Sequence, residues 1–106
     1  MDKLTDAQIT GMLTARPDWS ESGGAIQRTF HFKDFVEAMT FVDKVAVAAE
    51  AAQHHPDILI RYNKVTLSLN THDAGGITEK DFDLAAKIDA MTLAAGAKTG
   101  PKKAKS

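Results

Sequence analysis

The sequence predicts an α+β domain, a four-stranded antiparallel sheet with three helices on one face, in the order helix, two strands, helix, two strands, helix. Three observations predict it. Three segments repeat apolar residues at spacings of three and four, four short segments alternate apolar with polar residues, and the alternating segments come in pairs joined by turn formers. A chain of 106 residues suits one such domain, expected over residues 1–95.

Thr5-Asp6-Ala7-Gln8 is a capping-box pattern, and Ile9, Met12 and Leu13 follow at helical spacing, so a first helix is expected from about Asp6 to Ala15. Arg16-Pro17-Asp18 ends it, because a residue before proline is pushed out of helical geometry. Trp19 to Glu21, then Ser22-Gly23-Gly24, then Ala25 to Phe32 reads as a hairpin. Ile26, Phe30 and Phe32 share one face of its second strand, which Arg28 interrupts. Asp34 caps the longest helix, expected from Phe35 to Ala52, whose apolar stripe is Phe35, Ala38, Met39, Val42, Val45, Ala46 and Ala49. Pro56 stops it. Ile58, Ile60 and Tyr62 alternate with Leu59 and Arg61, and a turn at Asn63-Lys64 leads into Val65, Leu67 and Leu69. After Gly75-Gly76, Thr78 caps a third helix with Phe82, Ala85, Ile88 and Met91 on its buried stripe, fading near Ala95.

Composition narrows the function classes. The hydrophobic fraction of 43% and charged fraction of 25% are those of a globular protein, with no membrane span and no secretory signal visible, so a cytoplasmic protein is expected. Without cysteine there are no disulfides, thiolate nucleophiles or cysteine-ligated metals. The net charge of -1 hides an uneven distribution: Lys98, Lys102, Lys103 and Lys105 fall in a stretch from Gly96 that has no acid. Residues 96–106 are expected to form a solvated, disordered basic tail. The remainder carries nine basic and fourteen acidic side chains, which argues against nucleic-acid binding.

Three of the four histidines, His54, His55 and His72, fall within nineteen residues. Histidine exchanges protons near neutral pH, so a fold that gathers them makes a proton-transfer site. Glu50 and His54 are four apart and would share a helix face, letting the carboxylate orient the imidazole. The competing reading is a pair of histidines suiting the negative end of a helix dipole. A metal site is disfavoured, because adjacent histidines lack the spacing of a helical zinc pair. His31 sits on the polar side of a strand and is expected to be exposed. Neither glycine pair has the pattern or the lysine of a phosphate loop, and no nucleophile elbow is present.

The run Glu50, His54-His55-Pro56, Tyr62-Asn63-Lys64-Val65, Thr71-His72-Asp73, Gly75-Gly76-Ile77-Thr78, Asp81 and Leu84-Ala85 resembles the pterin-4a-carbinolamine dehydratase family. The similarity extends from about Trp19 to Ile88 and includes the Phe30-His31-Phe32 strand. Ile58-Leu59-Ile60 departs from it, since many members have an aromatic residue directly after the proline-acid pair. The resemblance implies dehydration of 4a-hydroxytetrahydropterin to quinonoid dihydropterin, with no metal or redox cofactor required. It implies that His54, His55 and His72 line a pterin pocket, with Glu50 and Asp81 orienting them. His54 and His72 are the expected proton carriers and His55 the expected pterin holder. Trp19 reads equally as pocket wall or core aromatic. A homodimer or homotetramer is expected. The alternative is a non-catalytic interaction module, since members in animals also bind a homeodomain transcription factor and others act as assembly factors.

Overall fold

The computed structural model describes residues 2–95 and 98–99. The elements are α1 (Asp6–Thr14), β1 (Ser20–Ser22), β2 (Ala25–His31), α2 (Phe35–Ala52), β3 (Asp57–Arg61), β4 (Lys64–Leu69), α3 (Glu79–Ala95) and β5 (Lys98–Thr99). The sheet is antiparallel throughout, in the order β1-β2-β4-β3, and β5 pairs with the end of β2. This is the expected α+β architecture, with the four main strands and three helices in the expected order. Of the expected tail, Lys98 and Thr99 pair with His31 and Phe30. The rest of that expectation lies outside the described residues.

Register explains the core. Ile26 faces Leu69 and Phe30 faces Val65 across the β2–β4 ladder, so the branched and aromatic residues of both strands point to one side. There they join Ile9 of α1, Phe41 and Val45 of α2, and Leu84, Ala85 and Ile88 of α3 in one cluster. Each such buried side chain stabilises the fold by about 1.5 to 3 kcal/mol. Thr29 and Thr66, on the opposite face, hydrogen-bond each other and remain half-buried.

The start of α1 is closed as its sequence suggests, with Gln8 N–H donating to Thr5 Oγ1 at 3.2 Å and Thr5 N–H to Gln8 Oε1 at 2.9 Å. Gly23 and Gly24, with φ of 59° and 81°, make the two-residue β1–β2 turn, which requires left-handed backbone at both positions.

Two expectations are corrected by tertiary contacts. The β3–β4 turn falls at Tyr62-Asn63, one residue earlier than expected, with Arg61 paired to Lys64. The reason is Asn63: its Nδ2 donates to Phe32 O, and Phe32 N–H donates to Asn63 O, both at 2.9 Å, pinning it against the end of β2. On α2 the buried stripe is Ala38, Phe41, Val45 and Ala49, and Phe35 is left 48% exposed. Phe41 draws the stripe round by stacking on Phe30 and Phe32, at centroid distances of 4.8 and 5.0 Å.

Arg28, which breaks the apolar face of β2, is buried around a carboxylate. Its guanidinium donates to Asp89 at 2.6 Å and lies 3.6 Å from Asp18 and 4.3 Å over the Phe30 ring. Asp89 also accepts from Trp19 Nε1 at 2.9 Å and Arg16 at 3.1 Å, so α3 is tied to the segments before β1 and within β2.

Candidate active site

Two chain reversals and one helix start build the site. The first is the end of α2. Gln53 adopts left-handed backbone (φ 53°, ψ 43°), His54 N–H donates back to Ala49 O at 3.1 Å and Gln53 N–H to Glu50 O at 3.2 Å. This pair of bonds is a Schellman closure, with glutamine where glycine is usual. The helix therefore stops before Pro56 can act, and His54 is not on it. The turn sends His54 inward, where it is only 8% exposed, and leaves the His55 side chain 59% exposed.

The second reversal follows β4. Thr71 and Gly76 bridge, with Thr71 N–H donating to Gly76 O at 2.8 Å, and a single turn of 3-10 helix, His72–Ala74, fills the loop between them. Gly75 closes that turn at φ 76°, donating to His72 O. From behind, Leu4 N–H donates to Ile77 O at 2.7 Å, so the segment before α1 buttresses this loop. The third feature is the start of α3, where Thr78 precedes the first turn and Asp81 lies in it.

These pieces meet in a cleft of about 520 Å³. His54, His55 and His72 all line it. His54 Nε2 pairs with Asp81 Oδ1 at 2.5 Å, and that carboxylate is fully buried. Asp81 Oδ2 accepts from Thr71 Oγ1 at 3.0 Å and from Thr78 N–H at 2.8 Å. The two threonine hydroxyls are 2.7 Å apart, and Thr78 Oγ1 accepts from Lys80 N–H at 3.2 Å. Both oxygens of Asp81 are thus engaged, as a buried carboxylate requires. The His72 side chain makes no hydrogen bond among the described residues and stands exposed at the cleft.

Two expected site residues sit elsewhere. Glu50 does not reach His54; its Oε2 pairs with His55 Nε2 at 2.5 Å, because the left-handed residue at 53 breaks the i, i+4 relation. Both partners of that pair are more than half exposed. Trp19 does not line the cleft: it is 3% exposed, bonded to Asp89, and packed edge-on against Phe30 at 6.2 Å. It is a core aromatic.

Six further polar residues line the cleft that the sequence did not single out, Gln53, Asp57, Asn70, Thr71, Asp73 and Lys80. Thr78 carried a legible signal, since Thr-x-x-Asp is a helix-start pattern that already ties Asp81 to the cap. Thr71 carried none, because its partner arrives through tertiary folding. Among the described residues, no group of three or more His, Cys, Asp or Glu side chains is arranged to hold a metal ion. No helix among them is long and apolar enough to cross a membrane.

Comparison with known proteins accords with this geometry. A protein of a Picosynechococcus species named "putative pterin-4-alpha-carbinolamine dehydratase" is 56% identical over 89 residues, spanning 84% of this chain and 97% of that one. The crystal structure of a transcriptional coactivator/pterin dehydratase from Brucella melitensis superposes with a TM-score of 0.80 at 37% identity, covering 84% of this chain and 97% of that chain. A pterin dehydratase-like protein described as a RuBisCO assembly factor in the alpha-carboxysome superposes with a TM-score of 0.59 at 26% identity, covering 69% and 87%. The profile of the pterin 4 alpha carbinolamine dehydratase family matches residues 2–91, and the chain belongs to that family of hydro-lyases.

Proposed function

We propose that this chain dehydrates a 4a-hydroxytetrahydropterin to the quinonoid dihydropterin in the cleft between α2, the loop after β4 and the start of α3, acting in the cytoplasm to recycle a pterin cofactor. The observation that carries the reading is the convergence of His54, His55 and His72 on one cleft, with His54 held by the buried Asp81. Its volume, about 520 Å³, falls in the general range of small-molecule sites.

The reaction needs one acid and one base. The acid protonates the C4a hydroxyl, the C4a–O bond breaks and water leaves; the base removes the N5 proton, and the electron pair forms the C4a=N5 double bond. His54 and His72 move these protons, and His55, steadied by Glu50, holds the pterin. Positioned groups of this kind contribute about 10² to 10⁴-fold each. Stopped-flow measurement of carbinolamine loss tests the assignment. His54→Ala and His72→Ala are each expected to lower turnover at least about tenfold with an unchanged far-ultraviolet circular dichroism spectrum. Wild-type turnover in both variants refutes it.

A second reading, an interaction module, is favoured by exposed apolar side chains away from the cleft. Val36 and Val47 on α2 are each 72% exposed, and Ile58 and Leu59 lie on β3, which pairs only with β4 among the described strands. An apolar free strand edge is a surface that another chain covers, and a second copy forming a homodimer or homotetramer is the simplest partner. Retention of partner binding in a His54→Ala variant would separate such a role from catalysis.

A further inference from the structure

The hydrogens around Asp81 can be assigned from the heavy atoms. A threonine hydroxyl has one hydrogen to give. Thr71 gives its hydrogen to Asp81 Oδ2 at 3.0 Å. The 2.7 Å contact between the Thr71 and Thr78 hydroxyls must then use the hydrogen of Thr78, with Thr71 Oγ1 accepting. Thr78 Oγ1 is free to accept, and it does so from Lys80 N–H at 3.2 Å. The hydrogens therefore run one way, from the first turn of α3 through Thr78 and Thr71 to the carboxylate.

That direction decides the state of His54. Asp81 Oδ2 is filled from two sides, by Thr71 Oγ1 and Thr78 N–H, leaving Oδ1 to face His54 Nε2. With Asp81 ionised, Oδ1 has no hydrogen to offer and Nε2 is the donor. Neutral His54 then carries its proton on Nε2 and a lone pair on Nδ1. Nδ1 makes no hydrogen bond among the described residues. It is also not among the polar side-chain atoms sealed from solvent without a partner, so it is open, on a residue that lines the cleft.

We propose that Thr71 and Thr78 are positioning residues that hold His54 in its Nε2–H form and so present Nδ1 as the proton acceptor of the reaction. This rests on the dehydratase reading for the identity of the proton taken, and on the hydrogen-bond geometry alone for the tautomer. Two donors on Oδ2 fix the plane of the carboxylate. With either threonine replaced by valine, the relay is interrupted and the carboxylate is freer to turn from Nε2.

Long-range nitrogen–proton correlation NMR of the histidine side chains, run beside steady-state kinetics, tests this. Wild-type His54 is expected to be protonated on Nε2 alone when neutral. In Thr71→Val and Thr78→Val the two tautomers are expected to mix, and kcat to fall about tenfold with KM within about twofold of wild type. Thr71→Ser and Thr78→Ser, which keep the hydroxyl, are expected to restore both. A wild-type His54 protonated on Nδ1 overturns the proposal, and that measurement needs no variant to fold. Valine variants that retain the single tautomer and the wild-type kcat also overturn it, as does a kcat loss that serine does not rescue. A wild-type protein with the expected tautomer but no turnover of the carbinolamine refutes the acceptor role through the dehydratase reading instead.

Discussion

Asp81 and Asp89 lie eight residues apart on the same helix, the first fully buried and the second with a side chain 16% exposed, and each accepts from three side chains or backbone groups, yet they build different things. Asp89 gathers two guanidinium groups and an indole, none of which exchanges a proton near neutral pH. Its partners come from before β1 and from β2, so it acts as a staple between the helix layer and the sheet. Asp81 gathers a histidine, a hydroxyl and a backbone amide, and the histidine borders an open cleft. A carboxylate gathered by three donors therefore does not by itself mark the candidate site in this fold. The mark is a partner that titrates and has one face toward solvent.

The contrast is broken most severely at Asp89. Asp89→Ala leaves Arg28, whose side chain is 6% exposed, with its closest counter-charge removed, and loss of one partner of a buried pair costs about 3 to 5 kcal/mol. Thermal denaturation should show a midpoint lowered by more than about 10 °C. Turnover per folded molecule, measured well below that midpoint, should remain that of wild type. A variant that loses turnover without losing stability would mean that the two carboxylates are not functionally separate.

At Asp81 the signs reverse. Asp81→Asn keeps the shape and one acceptor, but its amide can donate toward His54 Nε2, which puts the imidazole proton on the wrong nitrogen. Turnover is expected to fall by about 10²-fold, with a stability loss of about 1 to 3 kcal/mol, smaller than at Asp89. Stopped-flow kinetics and chemical denaturation on one preparation compare the two directly. The smallest effect belongs to a third carboxylate. Glu50 and His55 are both more than half exposed, so their pair is screened by water and Glu50→Gln should change stability by less than about 1 kcal/mol. Its turnover should stay within about threefold of wild type, because His55 is assigned to holding the pterin rather than moving protons.

The same contrast shows how far the sequence could be read. Periodicity placed the strands and helices because burial imposes a period of two or nearly four on any segment with one dry face, and Ile26, Phe30, Val65 and Leu67 obey it. The histidine cleft was legible because His54-His55-Pro56 concentrates rare chemistry at an element boundary. The partners of those residues were not. Glu50 was matched to His54 on the assumption of a continuing helix, and a glutamine gives no sign that it will take the left-handed conformation seen at residue 53. Trp19 finds Asp89 across 70 residues, and no local pattern reports such a pair. The threonine relay was half visible, Thr78 as a helix cap, while Thr71 needed the bridge to Gly76 to bring it there.

The hydrogen bonds that begin α3 are also those that hold His54, since Thr78 and Asp81 serve both. Unwinding of that first turn would also release His54 from its carboxylate, so on the proposed mechanism the fraction of molecules ready to react cannot exceed the fraction with the turn closed. Amide hydrogen exchange at Thr78 and Lys80 would count that fraction without any substrate present. A mutation far from the cleft that merely frays this turn would appear in an assay as a weaker enzyme, with every side chain at the cleft intact.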